Sequence, residues 1–201
     1  MSKMSKKKVI GITGSMGSGK SEISRYLRKK YPVLDCDQVN ADLLKKGNLG
    51  YQKLNDLHIV ELDSNGEIIK ESLASYIFSN VEHRKQVEAI LHPLIFDEMH
   101  KWIHEQESLI VFVEMPILFE ISAQEHFDSI WCVVADLDVA LSRLQTYRNF
   151  TREQALARLV SQMNPEEKMA KSDIVLRNNS TVEQLHMQIE DALKEEKLNG
   201  D

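Results

Sequence analysis

The chain has 201 residues, 42% of them hydrophobic and 28% charged, with 25 Lys or Arg against 31 Asp or Glu and a formal net charge of −6. That length and apolar content suit one globular domain, at most with a modest insertion, and an acidic chain argues against a broad nucleic-acid surface. The longest apolar runs, Leu109–Val113 and Ile130–Ala135, fall far short of the roughly 20 residues a membrane helix needs. The Lys-rich start reaches Gly11 after two apolar residues, leaving no signal-peptide core. A cytoplasmic protein without a membrane or nucleic-acid partner is expected, and the oligomeric state is left open.

Cys36 and Cys132 stand far apart with no CxxC or metal-ligand spacing, so two reduced thiols are expected. Cys132 sits in an apolar run, and Cys36 sits between two carboxylates. The charge is uneven: residues 1–30 carry a balance of +8 and the remainder −14. Of the basic residues, Lys3, Lys6, Lys7 and Lys8 precede the first strand and are expected to be solvated.

In chain order, Val9–Thr13 reads as a buried strand, followed by glycines and a helix whose inner face is Ile23, Tyr26 and Leu27. Pro32 stops that helix, and Val33-Leu34 form a short second strand. The segment from about 41 to 107 is predicted to be mostly helical, punctuated by Gly47, Gly50 and an Asp63–Gly66 turn. Ser79-x-x-Glu82 is a candidate capping box, and Pro93 is a candidate for the first turn of the next helix. Leu109–Glu114 and Ser129–Ala135 are stronger strands, and Ile174–Leu176 is a weak fifth. A second helical excursion follows strand four, with Thr151-x-x-Gln154 and Asn164-Pro165 as helix starts. Val182, Leu185, Ile189 and Leu193 pattern a closing helix. Strands separated by helices imply an α/β fold with a parallel sheet and crossover connections.

The residues Gly14-Ser-Met-Gly17-Ser18-Gly19-Lys20-Ser21 match G-x-x-x-x-G-K-[ST], the P-loop. Glycines let the backbone N–H groups approach phosphate oxygens closely, and the following helix directs its positive end at the anion. Lys20 is expected to reach the β- and γ-phosphates, the Ser21 hydroxyl to ligate Mg²⁺, and Glu22 to offer its amide with its side chain turned outward. Leu34-Asp35-Cys36-Asp37 puts two carboxylates at the carboxyl end of strand two, where open parallel sheets bind ligands. Either could accept a hydroxyl proton, hold Mg²⁺ through water, or cap the next helix. Arg143 and Arg148, with Arg152 and Arg158 nearby, fall where a mobile, arginine-bearing lid would neutralise a transferring phosphoryl group. A nucleoside or nucleoside-monophosphate kinase shares these features. A GTPase switch does not fit, because no Asn-Lys-x-Asp guanine motif is visible.

Taken together, the chain resembles the dephospho-CoA kinase family almost end to end. The resemblance rests on Gly11–Ser21, Asp35-Cys36-Asp37, Leu91-His92-Pro93-Leu94, Met115–Glu120, the Arg143–Arg148 segment, Arg158-x-x-x-Gln162 and Ser172–Asn178. It implies a P-loop kinase-like three-layer fold on a five-stranded parallel sheet. The core would span about 8–37, 108–137 and 171–201, with a helical CoA-binding insertion over about 38–107 and a lid over about 138–170. It further implies ATP-dependent phosphorylation of the ribose 3′-hydroxyl of dephospho-CoA, the last step of coenzyme A synthesis, with Mg²⁺. By position, Asp37 would be the general base, Lys20 and Arg148 catalytic groups on the phosphates, and Gly17 to Glu22 the nucleotide loop. Asn178 would lie near the adenine and His92 near the acceptor. Glu22, Cys36 and Glu114 depart from the family's usual Thr, Ala, and Val or Asp.

Overall fold

The computed structural model describes residues 7–198; Lys3 and Lys6, expected to be solvated, lie outside that range. The chain divides into two compact units, residues 1–34 with 106–201, and residues 35–105.

The first unit is built on the sheet. Strands β1 (Lys8–Gly14), β2 (Val33–Asp35), β3 (Ile110–Glu114), β4 (Ser129–Val134) and β5 (Ile174–Arg177) lie in the order β2-β3-β1-β4-β5. β1 runs parallel to β3 and β4, and β4 to β5. The central strands are mainly apolar because both of their faces are covered, as parallel sheets require. On one face, Ile10, Ile12, Phe112, Trp131 and Val133 form a core with helix α1 (Lys20–Leu27) through Ile23 and Leu27. Helix α9 (Val182–Leu198) joins it through Leu185, Ile189 and Leu193. Each of these large side chains contributes about 1.5–3 kcal/mol on burial. Phe112 and Trp131 meet edge to face with centroids 5.2 Å apart.

Lys8 is not solvated as expected. Its ammonium lies 2.6 Å from the Glu196 carboxylate on α9 and donates to the Glu196 carbonyl at 2.9 Å. The Glu196 carboxylate also accepts from Ser129 and, at 2.8 Å, from the Trp131 indole. Burial by itself would push this carboxyl up, but those donors outweigh it and hold the group below the ordinary carboxylate range.

After β4, α6 (Leu137–Arg148), α7 (Arg152–Val160) and α8 (Pro165–Ala170) follow in turn. Thr151 and Gln154 form the expected reciprocal capping box at the start of α7, and Asn164 caps α8 with Pro165 in its first turn.

The second unit is helical: α2 (Cys36–Leu43), α3 (Leu49–Asp56) and α4 (Lys70–Ser79) each pack on α5 (Val81–Glu105). Leu54, Ile59, Leu73, Val87 and Leu91 form its core. The Asp63–Gly66 turn is present, with the Gly66 amide donating to the Asp63 carbonyl at 3.0 Å. Three local expectations fail here. Pro93 lies inside α5 rather than at a helix start. A proline removes one backbone bond, but buried Leu91 and Leu94 on either side hold the turn in the unit's core. Ser79 ends α4 and forms no capping box with Glu82; Asn80 accepts from the His83 amide at 2.8 Å instead. Gly50 does not interrupt the chain but sits in α3, where a Cβ would come within 2.8 Å of the Leu43 carbonyl oxygen. A glycine is needed there for close backbone approach.

Candidate active site

The turn from β1 to α1 makes a loop over residues 14–19. Gly19 is the N-cap of α1, at φ 101°, and supplies no capping side chain. The first-turn amides of a helix have no intrahelical acceptor, so a glycine cap leaves that end of α1 open to an anion. A Cβ on Gly19 would lie 2.0 Å from the Asn178 amide nitrogen. Chain conformation and crowding therefore both require glycine there.

The Lys20 ammonium folds back on its own loop, donating to the carbonyls of Gly14 at 2.8 Å and Ser15 at 3.0 Å. Ser21 is exposed on the first turn of α1. The Glu22 side chain turns away from the loop, as expected, to pair with Arg25 and, at 3.1 Å, with His186 of α9. Its amide is not presented to the loop as expected, because it donates to the Gly19 carbonyl at 3.0 Å. Ser18 is buried, and its hydroxyl has no hydrogen-bond partner among the described residues. An orphaned buried hydroxyl beside an open helix end suits a ligand rich in acceptor oxygens.

Two further elements lock the loop from the side. Asn178, just past β5, is fixed by its amide bond to the Val134 carbonyl at 2.8 Å and donates from its side chain to the Ser18 carbonyl at 2.9 Å. Arg143 on α6 donates to the carbonyls of Gly17 and Ser18 at 3.3 and 3.4 Å, and to the carbonyl and side-chain oxygens of Asn178 at 3.0 and 3.2 Å. Arg143, rather than Arg148, is the arginine brought to the loop. Arg148 is exposed at the last turn of α6. Arg152 approaches Asp138 at 3.9 Å, and Arg158 lies over the Phe150 ring. A cavity of about 390 Å³ lies beside the loop, lined by Ser15, Met16, Ser18, Ala140, Leu156 and Leu159 among others.

Two contacts were not anticipated, although the sequence singled out Gln162, in Arg158-x-x-x-Gln162, and Glu114, as a departure from the family pattern. The Gln162 side chain accepts from the Met16 amide at 2.9 Å. Buried Glu114 ends β3 and accepts from Ser24 on α1 at 2.6 Å. Both join groups far apart in sequence, so no local pattern names the partner.

Asp35, Asp37 and His92 belong to the second unit. Asp35 caps α2, its carboxylate accepting from the amides of Asp37 at 2.9 Å and Gln38 at 3.3 Å. That separates the two carboxylates: Asp35 has a structural task, and Asp37 stands on the first turn of α2. His92 lies in α5. Burial pushes its pKa below the usual imidazole value, as does Arg84, against an upward pull from Glu88, so its neutral form is favoured near pH 7.

A five-stranded sheet in this order, with its phosphate loop leaving the central strand for a helix, defines a P-loop kinase. A dephospho-CoA kinase family model matches residues 8–184, and a dephospho-CoA kinase of Bacillus cereus is 34% identical over 192 residues, covering 92% of this chain and 96% of that one. The chain belongs to the dephospho-CoA kinase family. A crystal structure of a Thermus thermophilus protein is 32% identical, with a TM-score of 0.83 over 94% of this chain and 98% of that one. A dephospho-CoA kinase structure from Campylobacter jejuni is similar in fold, at 23% identity and a TM-score of 0.69 over 97% of this chain and 100% of that one.

Proposed function

We propose that the chain transfers the γ-phosphoryl group of ATP to the ribose 3′-hydroxyl of dephospho-CoA in the cytoplasm, as a single in-line step without a covalent enzyme intermediate. The observation that carries this reading is the glycine-capped α1 terminus beside the Lys20 ammonium, in a chain of the dephospho-CoA kinase family. In this reading the loop residues Gly17, Ser18, Gly19, Lys20 and Ser21 hold the β- and γ-phosphates. The Lys20 ammonium exchanges its two neutral loop carbonyls for anionic phosphate oxygens, so that both partners of the bond are charged. Arg143 and Asn178 keep the loop carbonyls turned outward from the anion, with Asn178 beside the adenine. Arg148 is the lid residue that reaches the phosphates. Asp37 accepts the 3′-hydroxyl proton, and neutral His92 orients the acceptor.

The residues at the loop suit Mg²⁺: the Ser21 hydroxyl is a hard oxygen donor at the start of α1, and no group of three His, Cys, Asp or Glu side chains among the described residues offers a dedicated cage. Mg²⁺ is commonly held through a few protein oxygens, water and substrate phosphates, so Ser21 would be its protein ligand. When bound, the metal supplies charge neutralisation between the β- and γ-phosphates.

Measuring ADP release with dephospho-CoA, AMP and adenosine side by side tests the assignment. Turnover dependent on dephospho-CoA is expected. Turnover that prefers AMP or adenosine, or that runs equally fast without an acceptor, would overturn it.

A further inference from the structure

Lys168 is a fully buried lysine in the helix that leaves the lid region. Its ammonium lies 2.8 Å from the Glu120 carboxylate and donates to the Pro116 carbonyl, also at 2.8 Å. A buried charge survives only when paired and hydrogen-bonded, so its partners are not incidental. Both partners have a second contact. The Pro116 carbonyl also accepts from the Thr13 hydroxyl at 3.1 Å, one residue before the loop begins at Gly14. The same Glu120 oxygen accepts from the Met163 amide at 3.3 Å. Met163 is adjacent to Gln162, whose side chain holds the Met16 amide in the middle of the loop.

The contacts therefore form one continuous path. On one side it runs from Lys168 through Pro116 to Thr13, at the root of the loop. On the other it runs from Lys168 through Glu120 and Met163 to Gln162, and so to the Met16 amide. We infer that Lys168 and Glu120 are positioning residues for phosphoryl transfer: their ion pair fixes the 162–163 segment so that Gln162 holds the Met16 amide, and with it the loop, in the geometry the phosphates require. Neither touches the reacting atoms in this account. Misplacement of a reacting group by about 1 Å lowers rates by up to roughly a hundredfold, so a loosened loop is felt in turnover before it is felt in folding. The inference rests on the phosphoryl-transfer reading above, but its first test does not.

Removing Glu120 alone leaves the fully buried Lys168 ammonium without its anion and can unfold the chain, so the informative variant removes both charges. The double variant Glu120→Met with Lys168→Met replaces the pair by apolar chains of similar length, a change that buried pairs often tolerate. Amide exchange of the Met16 segment in the ligand-free protein should quicken about tenfold in this variant, and equally in Gln162→Ala. In steady-state assays both variants should lose about tenfold in kcat. The triple variant should lose no more than either, because perturbations along one path do not add. A pair that only stabilises the fold would lower the melting temperature while leaving Met16 exchange and kcat as they are. That result overturns the inference, as does a triple variant in which the two losses multiply. If the double variant does not fold, Lys168→Met alone, which leaves the Glu120 carboxylate partly open to solvent, should quicken Met16 exchange; unchanged exchange in that variant also overturns the inference. Should the acceptor assignment fail instead, turnover with dephospho-CoA is absent in the wild-type chain while the exchange result stands.

Discussion

At the scale of single residues, the two carboxylates of the Asp35-Cys36-Asp37 signature stand in different places, Asp35 as the N-cap of α2 and Asp37 on its first turn. Asp35 is committed to the α2 amides, so Asp35→Ala should lower stability by about 1 kcal/mol, the usual value of a lost N-cap, as read from chemical denaturation. Asp37→Asn should instead lower kcat by about 10²–10⁴-fold, the usual worth of a general base, with ATP affinity within about twofold of wild type. Unchanged turnover would take Asp37 out of the chemistry. Glu196 gives a pH-dependent counterpart. Its carboxyl is held below the ordinary range in the folded chain, so the stability it contributes is present above the unfolded pKa and is lost as pH falls through the folded one. Between about pH 6 and pH 3 the wild-type chain should therefore lose more stability than Glu196→Gln, which has no proton to take up. Parallel acid-denaturation curves for the two would contradict this account.

At the scale of elements, the sheet strands and the helix starts at Thr151 and Asn164 were legible because they obey local rules: apolar runs between breakers, and side chains that satisfy first-turn amides. The P-loop was legible because its chemistry demands those residue types at that spacing. Pro93 and Gly50 misled because tertiary packing overrode local preference; Leu91 and Leu94 carry the helix through the proline, and Leu43 requires the glycine inside α3. Lys8 misled because nothing in a lysine run announces a carboxylate 188 residues away. The same limit hid the partners of Gln162 and Lys168 and the preference of the loop for Arg143 over Arg148, since contacts across elements leave no periodicity. Among the helices that follow β4, α7 depends on its capping box. Thr151→Ala should speed amide exchange across Arg152–Val160 while leaving α6 and the sheet protected, the expected signature of a local opening worth about 1 kcal/mol. A global increase in exchange would place that cap in the folding core instead.

At the scale of the whole molecule, an acidic chain with net charge −6 is assigned two polyanionic substrates, and the conflict is only apparent. In the proposed reading what a phosphate would meet is local: an open helix end, the Lys20 ammonium and the lid residue Arg148. No helix among the described residues is long and apolar enough to cross a membrane. Neither cysteine is in a disulfide, both are buried, and burial raises the Cys132 thiol above its usual value, which disfavours the thiolate that oxidation and metal binding require. The central claim concerns one oxygen atom, the ribose 3′-hydroxyl of the acceptor. Its most direct test is transfer of label from γ-labelled ATP to dephospho-CoA and to its 3′-deoxy analogue under the same conditions. The account predicts a labelled product that co-elutes with coenzyme A and no labelling of the analogue; label on the 3′-deoxy analogue, or none on dephospho-CoA, would contradict it.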